Sequence, residues 1–171
     1  YTFFEGLAPL GWPDNGFPAP QGGYYCGVGS DEIFGREVVN AHLQACIDAG
    51  LHIAGINAEV MPGQWEFQIG PIAAPQVADE LWIARWMLYR IAEDFLGPKG
   101  IPISATLSPK PVPGDWNGAG CHTNFSTTEM RENIEACVAA AEALGVGDKP
   151  ALHMAGYGAG VEQRLTGEHE T

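Results

Sequence analysis

The stretch INAEVMPGQWEFQIGP, Ile56 to Pro71, constrains the fold of this chain more than any other. Ile56, Ala58 and Val60 alternate with Asn57 and Glu59. Beyond Met61-Pro62-Gly63, Trp65, Phe67 and Ile69 alternate with Gln64, Glu66 and Gln68. Side chains of a strand switch faces at every residue, so each segment predicts a strand with one apolar face and one face of amides and a carboxylate. Pairing as a hairpin through the short turn makes the polar faces coincide and brings Glu59 toward Glu66. Two carboxylates held close repel unless a cation sits between them. A hard divalent ion such as magnesium takes carboxylate oxygen and keeps positions for substrate phosphates. An amphipathic sheet that simply faces water gives the same pattern, and spacing alone leaves both readings open.

Helices are expected on either side of this pair. Asp31 to Ala49 has Ser30 or Asp31 as a cap, Gly50 as a stop and an inner stripe of Phe34, Val38, Ala45, Cys46 and Ala49. Gln76 to Leu96 carries Val77, Leu81, Ala84, Leu88, Ile91 and Phe95 on one face and ends at Gly97-Pro98. Ile101 to Leu107 reads as a strand. GCHTNFST alternates again, with Cys121, Thr123 and Phe125 opposite His122, Asn124 and Ser126. A third helix is expected over 127–144, with Ser126 and Glu129 spaced as a capping box. Residues 5–29 and 108–120 are Gly/Pro-rich loops. The first carries anchoring aromatics at Trp12, Phe17, Tyr24 and Tyr25, and the last 25 residues read as irregular. If the polar-faced strands share one antiparallel sheet, helices cover the apolar side and the polar side lines a cleft.

Isolated candidates each have a plain structural reading. His122 is suited to manganese or zinc, or it is an ordinary surface or core histidine. Asn117-Gly118-Ala119-Gly120 is a loop closing on a ligand or a simple turn, and it is not a P-loop, because no Gly-Lys-Ser/Thr follows. Arg164 could hold an anion or a surface ion pair, and His169 and Glu170 carry no signal by themselves. With 21 acidic and 8 basic residues, the formal charge of −13 argues against a nucleic-acid surface. No run approaches the roughly 20 apolar residues that a membrane helix needs. Cys26, Cys46, Cys121 and Cys137 form no C-x-x-C pair, which disfavours a zinc cage and fits reduced thiols in a cytosol-like compartment. The start at Tyr1-Thr2-Phe3-Phe4 reads like the inside of a strand and the end is polar, so an internal piece of a longer protein is expected.

Four stretches, GFPAPQGGYYCGVG, NAEVMPGQWEFQIGP, NGAGCHTNFST and RLTGEHET, together resemble glutamine synthetase of the eukaryotic-type class, in that family's order and spacing across the whole chain. The resemblance implies an α+β fold: a curved antiparallel sheet with helices packed on its outer face. It implies ATP-dependent ligation of ammonia to L-glutamate through γ-glutamyl phosphate, with two to three Mg2+ or Mn2+ ions. By the same resemblance, Glu59, Glu66 and His122 match metal ligands. Glu66, Phe67, Gln68, Ile69, Gly70 and Pro71, with Asn124, Phe125 and Ser126, match an ATP-contacting set. Asp115, Trp116, Asn117 and Gly118 match the glutamate loop, Arg164 matches a carboxylate-gripping arginine, and Glu170 matches a flap glutamate that helps deprotonate ammonium. A decamer of stacked rings in the cytoplasm or a plastid is implied, with no nucleic-acid or membrane partner. The family's upstream acidic EQEYT opening, its N-terminal β-grasp domain and its downstream phosphate-clamping arginines do not appear here, so the 171-residue piece alone is expected to be inactive. Glu168, Ala159 and Val161 depart from the common wording. A γ-glutamyl-polyamine ligase of the same fold and a catalytically silent relative are the rival readings.

Overall fold

A computed structural model describes residues 1–167. Among these described residues five strands are present, β1 (Thr2–Glu5), β2 (Ala8–Pro9), β3 (Ile53–Ala58), β4 (Trp65–Ile69) and β5 (Ile103–Thr106). The helices are α1 (Arg36–Asp48), α2 (Ala74–Ala92), α3 (Thr128–Glu132), α4 (Ile134–Leu144) and α5 (Lys149–Gly156), followed by a 3-10 turn at Val161–Arg164.

All strand pairs are antiparallel, in ladders ordered β2-β1-β5 and β3-β4. The turn after β3 stitches the ladders together. Thr2 bridges Gln64, the Phe3 amide donates to Gly63 O at 2.8 Å, and the Trp65 amide donates to Tyr1 O at 2.9 Å. The α+β architecture expected from the sequence, antiparallel strands with helices packed against them, is therefore the one observed. Helices α1 and α2 pack on each other, and α1 also meets β3 while α2 meets β4 and β5.

The core is one cluster of Phe3, Leu10, Val38, Val39, Ala58, Trp65, Leu88, Ala92 and Ile103. Trp65 is its largest member. Its indole N–H donates to Phe34 O at 2.7 Å, and the Arg36 guanidinium lies 4.5 Å over its ring. Because side chains alternate along β4, burying Trp65 turns Glu66 to the other face.

Several elements differ from the expectation. Helix α1 begins five residues late, because Gly35 turns with φ 88° and a β-carbon there would lie 2.8 Å from the Phe3 ring. Its buried face is Val38, Val39, His42 and Cys46, while Ala49 is exposed. Helix α2 stops at Ala92, where the Phe95 amide bonds Ala92 O in a turn, although the apolar spacing continues to Phe95. The third helix is broken at Asn133. Asn133 is extended, and its side chain accepts from the Glu135 amide at 2.9 Å, starting a new helix in preference to continuing the old one. The cap of α3 is Thr127, bonded by the Met130 amide, and not Ser126. The strand expected over 121–126 does not form: the segment finds no ladder among the described residues, and alternation without a partner does not make a sheet. Helix α5 and the 3-10 turn occupy the region read as irregular, with Pro150 in the first turn of α5.

Candidate active-site face

The hairpin of β3 and β4 builds the acidic corner. Asn57 pairs with Glu66 and Ala58 with Trp65, and the Glu59 amide continues the ladder to Gln64 O at 2.9 Å. Glu59 lies two residues beyond Asn57, so it shares a face with Glu66. Both are half-buried. Burial pushes the Glu59 carboxyl above its ordinary range. The charge of Glu66 and a hydrogen bond between the two carboxyl groups push the same way, against the Val60 amide, which donates to Glu59 at 3.2 Å. Tyr25 stands at the rim. Its phenol is raised first by Cys26 beside it and next by Glu59.

Such a pair suits a hard divalent cation. Carboxylate oxygens are the donors that Mg2+ and Mn2+ prefer, and one or two of them with substrate phosphates is a common set. Two like charges in a half-buried corner are relieved by a cation between them. Among the described residues no group of three or more His, Cys, Asp and Glu side chains is gathered for a metal. His122 is exposed in the unpaired 121–126 segment, and among the described residues it is not gathered with the two carboxylates into a metal-holding group. The alternation that aligned His122 with them on paper acts only through a ladder, and this segment has none.

The loop of Asp115, Trp116, Asn117 and Gly118 does reach the corner. Asn117 Nδ2 donates to Gln64 Oε1 at 2.7 Å and lies 3.5 Å from Glu59 Oε2. Trp116 packs between Trp12 and Phe17, with ring centroids 4.6 and 5.8 Å away, and its carbonyl accepts from the Lys110 ammonium. Arg164 runs along the same loop. A β-carbon on Gly118 would lie 2.8 Å from Arg164 Cγ, and one on Gly120 would lie 2.8 Å from Arg164 Nη2. These glycines therefore let the guanidinium approach the backbone, a tighter role than that of a simple turn.

The residues expected to contact ATP are divided. Glu66, Phe67, Gln68 and Ile69 form β4, and Gly70 and Pro71 follow directly. Phe67 leans on Tyr1 and His42 at 5.8 and 5.1 Å, so its ring serves the interior, while Gln68 is exposed. Asn124, Phe125 and Ser126 are exposed with His122, and Ser126 Oγ accepts from Arg131 at 2.9 Å. Glu170 lies outside the described residues. The sequence reading named Trp12, Phe17 and Tyr25 only as loop anchors, and it singled out neither Gln21 nor the seat that Trp12 and Phe17 make for Trp116. The aromatics in the first loop were a signal that it is anchored, but not of what it anchors. An apolar cavity of about 580 Å³, lined by Leu10, Phe34, Val38, Phe95 and Ile103, opens elsewhere, and neither Glu59 nor Glu66 lines it.

Comparison with known proteins points one way. The sequence model of the family described as "Glutamine synthetase, catalytic domain" matches residues 12–156. A glutamine synthetase of Streptomyces viridochromogenes is 66% identical over 171 residues, 100% of this chain and 48% of that protein. Glutamine synthetase cytosolic isozyme 1 of Glycine max is 57% identical over 165 residues, 95% of this chain and 44% of that protein. A glutamine synthetase of Yarrowia lipolytica is 55% identical, covering 100% of this chain and 46% of its own. The chain spans about half the length of the curated relatives it matches.

Proposed function

The chain belongs to the glutamine synthetase catalytic-domain family, and from that premise we propose that the full-length protein joins ammonia to L-glutamate at the expense of ATP. The γ-carboxylate of glutamate attacks the γ-phosphorus of ATP and releases ADP. Ammonia then attacks the acyl carbon of γ-glutamyl phosphate, phosphate leaves, and one proton is lost to give glutamine. The observation that carries this reading is the corner where Glu59, beside Glu66, comes within 3.5 Å of Asn117, in a loop that lies against Arg164.

Each group has a task in that reaction. Glu59 and Glu66 would hold Mg2+ or Mn2+, which when bound shields phosphate charge for the transfer. Arg164, with its forked guanidinium against the loop, grips a carboxylate of glutamate. Asn117 and Gly118 orient the substrate beside the acidic pair, and β4 with Gly70 and Pro71 runs along the nucleotide. His122 as a further ligand, contacts of Asn124, Phe125 and Ser126 with ATP, and proton removal by Glu170 belong to the same proposal. So does the reading of this chain as one part of a catalytic domain, with a β-grasp domain and further ligands contributed by the rest of the protein. Assembly as a homo-oligomer of the eukaryotic-type decameric class, working in the cytoplasm, completes it. No helix among the described residues is long and apolar enough to cross a membrane.

The test is glutamine formation by the full-length protein from glutamate, ammonium and ATP, with putrescine and spermidine as rival amines. Glu66→Ala should remove turnover and abolish the rise in melting temperature that Mn2+ produces in the wild type. Full activity in the variant, or a preference for a polyamine, would refute the assignment.

A further inference from the structure

Three side-chain amides meet at the loop that carries Asn117, and one of them comes from the opposite end of the chain. Gln21 sits in the first Gly/Pro loop and is half-buried. Its Oε1 accepts from the Asn117 amide at 2.6 Å, and its Nε2 donates to Asp115 O at 3.0 Å. One neutral side chain thus pairs with the two backbone groups that flank Trp116, as a strand would. Only a carboxamide can do this, since it carries an acceptor and a donor side by side without charge. The ring of Trp116 is seated in the same loop, against Trp12 and Phe17.

The second amide, Gln64, is buried at 2% exposure. It accepts from Asn117 Nδ2, and its own Nε2 lies 3.3 Å from Thr2 Oγ1 and 3.4 Å from Gly118 O. The backbone of Asn117 is therefore held by Gln21 and its side chain by Gln64, next to Glu59. A loop fixed at both points does not have to be ordered by the substrate, and pre-organisation of that kind appears as affinity.

We infer that Gln21 is a positioning residue for the glutamate side of the site, acting through the backbone on either side of Trp116. The assignment of glutamate to this loop rests on the ligase reading above. It predicts a selective defect: loss of the amide loosens the loop that orients glutamate and leaves the nucleotide strand β4 untouched.

The experiment compares wild type, Gln21→Ala and Gln21→Glu in the full-length protein, with hydrogen exchange at the Asn117 amide beside steady-state kinetics. Gln21→Ala should raise KM for glutamate about tenfold with KM for ATP within about twofold, the consequence of losing the two hydrogen bonds that order the loop before glutamate binds. Exchange at Asn117 should accelerate in parallel. Gln21→Glu keeps the acceptor for the Asn117 amide and loses the donor to Asp115 O, so it should fall between the two. It also carries the test if the alanine variant fails to fold. Unchanged exchange at Asn117, an unchanged KM for glutamate, or an equal rise in both KM values would overturn the inference. A wild type that makes no glutamine would instead bring down the ligase reading and the glutamate assignment with it. The exchange data would still report on the clamp itself.

Discussion

The two parts of the chain are held by different forces. Among the described residues, 1–107 contain every strand, helices α1 and α2, and the whole buried cluster, of which Ile103 is the last member. Residues 108–167 contribute no fully buried residue, and α3, α4 and α5 have no buried face. The acidic pair stands on the packed part, while Asn117, Gly118 and Arg164 come from the other. The candidate site therefore lies on a seam closed by Gln21, Gln64 and the Trp12–Phe17–Trp116 stack and not by a common core. A seam of polar contacts can adjust while the scaffold beneath stays rigid, which is what a ligand-binding loop on a packed hairpin needs.

The largest effect should come from the middle of the packed part. Trp65→Ala removes the main core side chain and an indole hydrogen bond, and should cost about 3–5 kcal/mol in urea denaturation. A loss below about 1 kcal/mol would break the contrast, because it would mean that the hairpin does not depend on its buried face. On the seam, Gly118→Ala puts a methyl group against Arg164. It should cost about 1–3 kcal/mol as local overpacking, and in the full-length protein it should raise KM for glutamate more than KM for ATP. If the arginine moves aside without either change, the close approach has no functional weight.

The hairpin could be read from the sequence because both partners of the ladder lie within one short stretch, so alternation and register were fixed together. The same alternation over Cys121 to Ser126 misled, because the partner that makes alternation into a strand is not a local property. The helix over 127–144 was broken by Asn133, whose capping bond competes with helix continuation. The candidate site rests on resemblance more than on spacing. Glu59 and Glu66 follow from the hairpin, but Gln21 acts across 96 residues of chain, and no periodicity links it to Asn117. Glycines 118 and 120 could be read as a turn or as a ligand loop, and no sequence pattern showed that Arg164 would lie along them.

The buried face of α1 adds a pH dependence that the second part lacks the burial to produce. His42 is fully buried, its Nε2–H donates to Ala84 O at 2.9 Å, and its Nδ1 has no hydrogen-bond partner among the described residues. Burial lowers its pKa below the ordinary 6.5, and the Ala84 bond opposes this only in part. The unfolded chain therefore takes up the proton first. Stability is complete above the unfolded value and falls as pH drops below it, by up to about 1.4 kcal/mol per pH unit for one proton. Urea midpoints between pH 7 and 5 should show that slope in the wild type. His42→Gln should flatten it, and an unaltered slope would move its origin to other groups.

The smallest effect, expected at Val138, makes the sharpest comparison, because the same substitution is costly on α1. Val39 on α1 is 0% exposed and Val138 on α4 is 51% exposed. Valine to alanine raises helix propensity at either position by about 0.5 kcal/mol, through freedom regained at the branched carbon. At Val39 that gain is overwhelmed by the lost burial and the cavity, so a net loss of about 2 kcal/mol is expected. At Val138 little burial is given up, and the net change should be zero or a gain of about 0.5 kcal/mol. Paired urea titrations of this chain read both numbers under one condition. Equal losses at the two sites would mean that α4 is packed as firmly as α1, and the division of the molecule into a cored part and a seam-held part would fail.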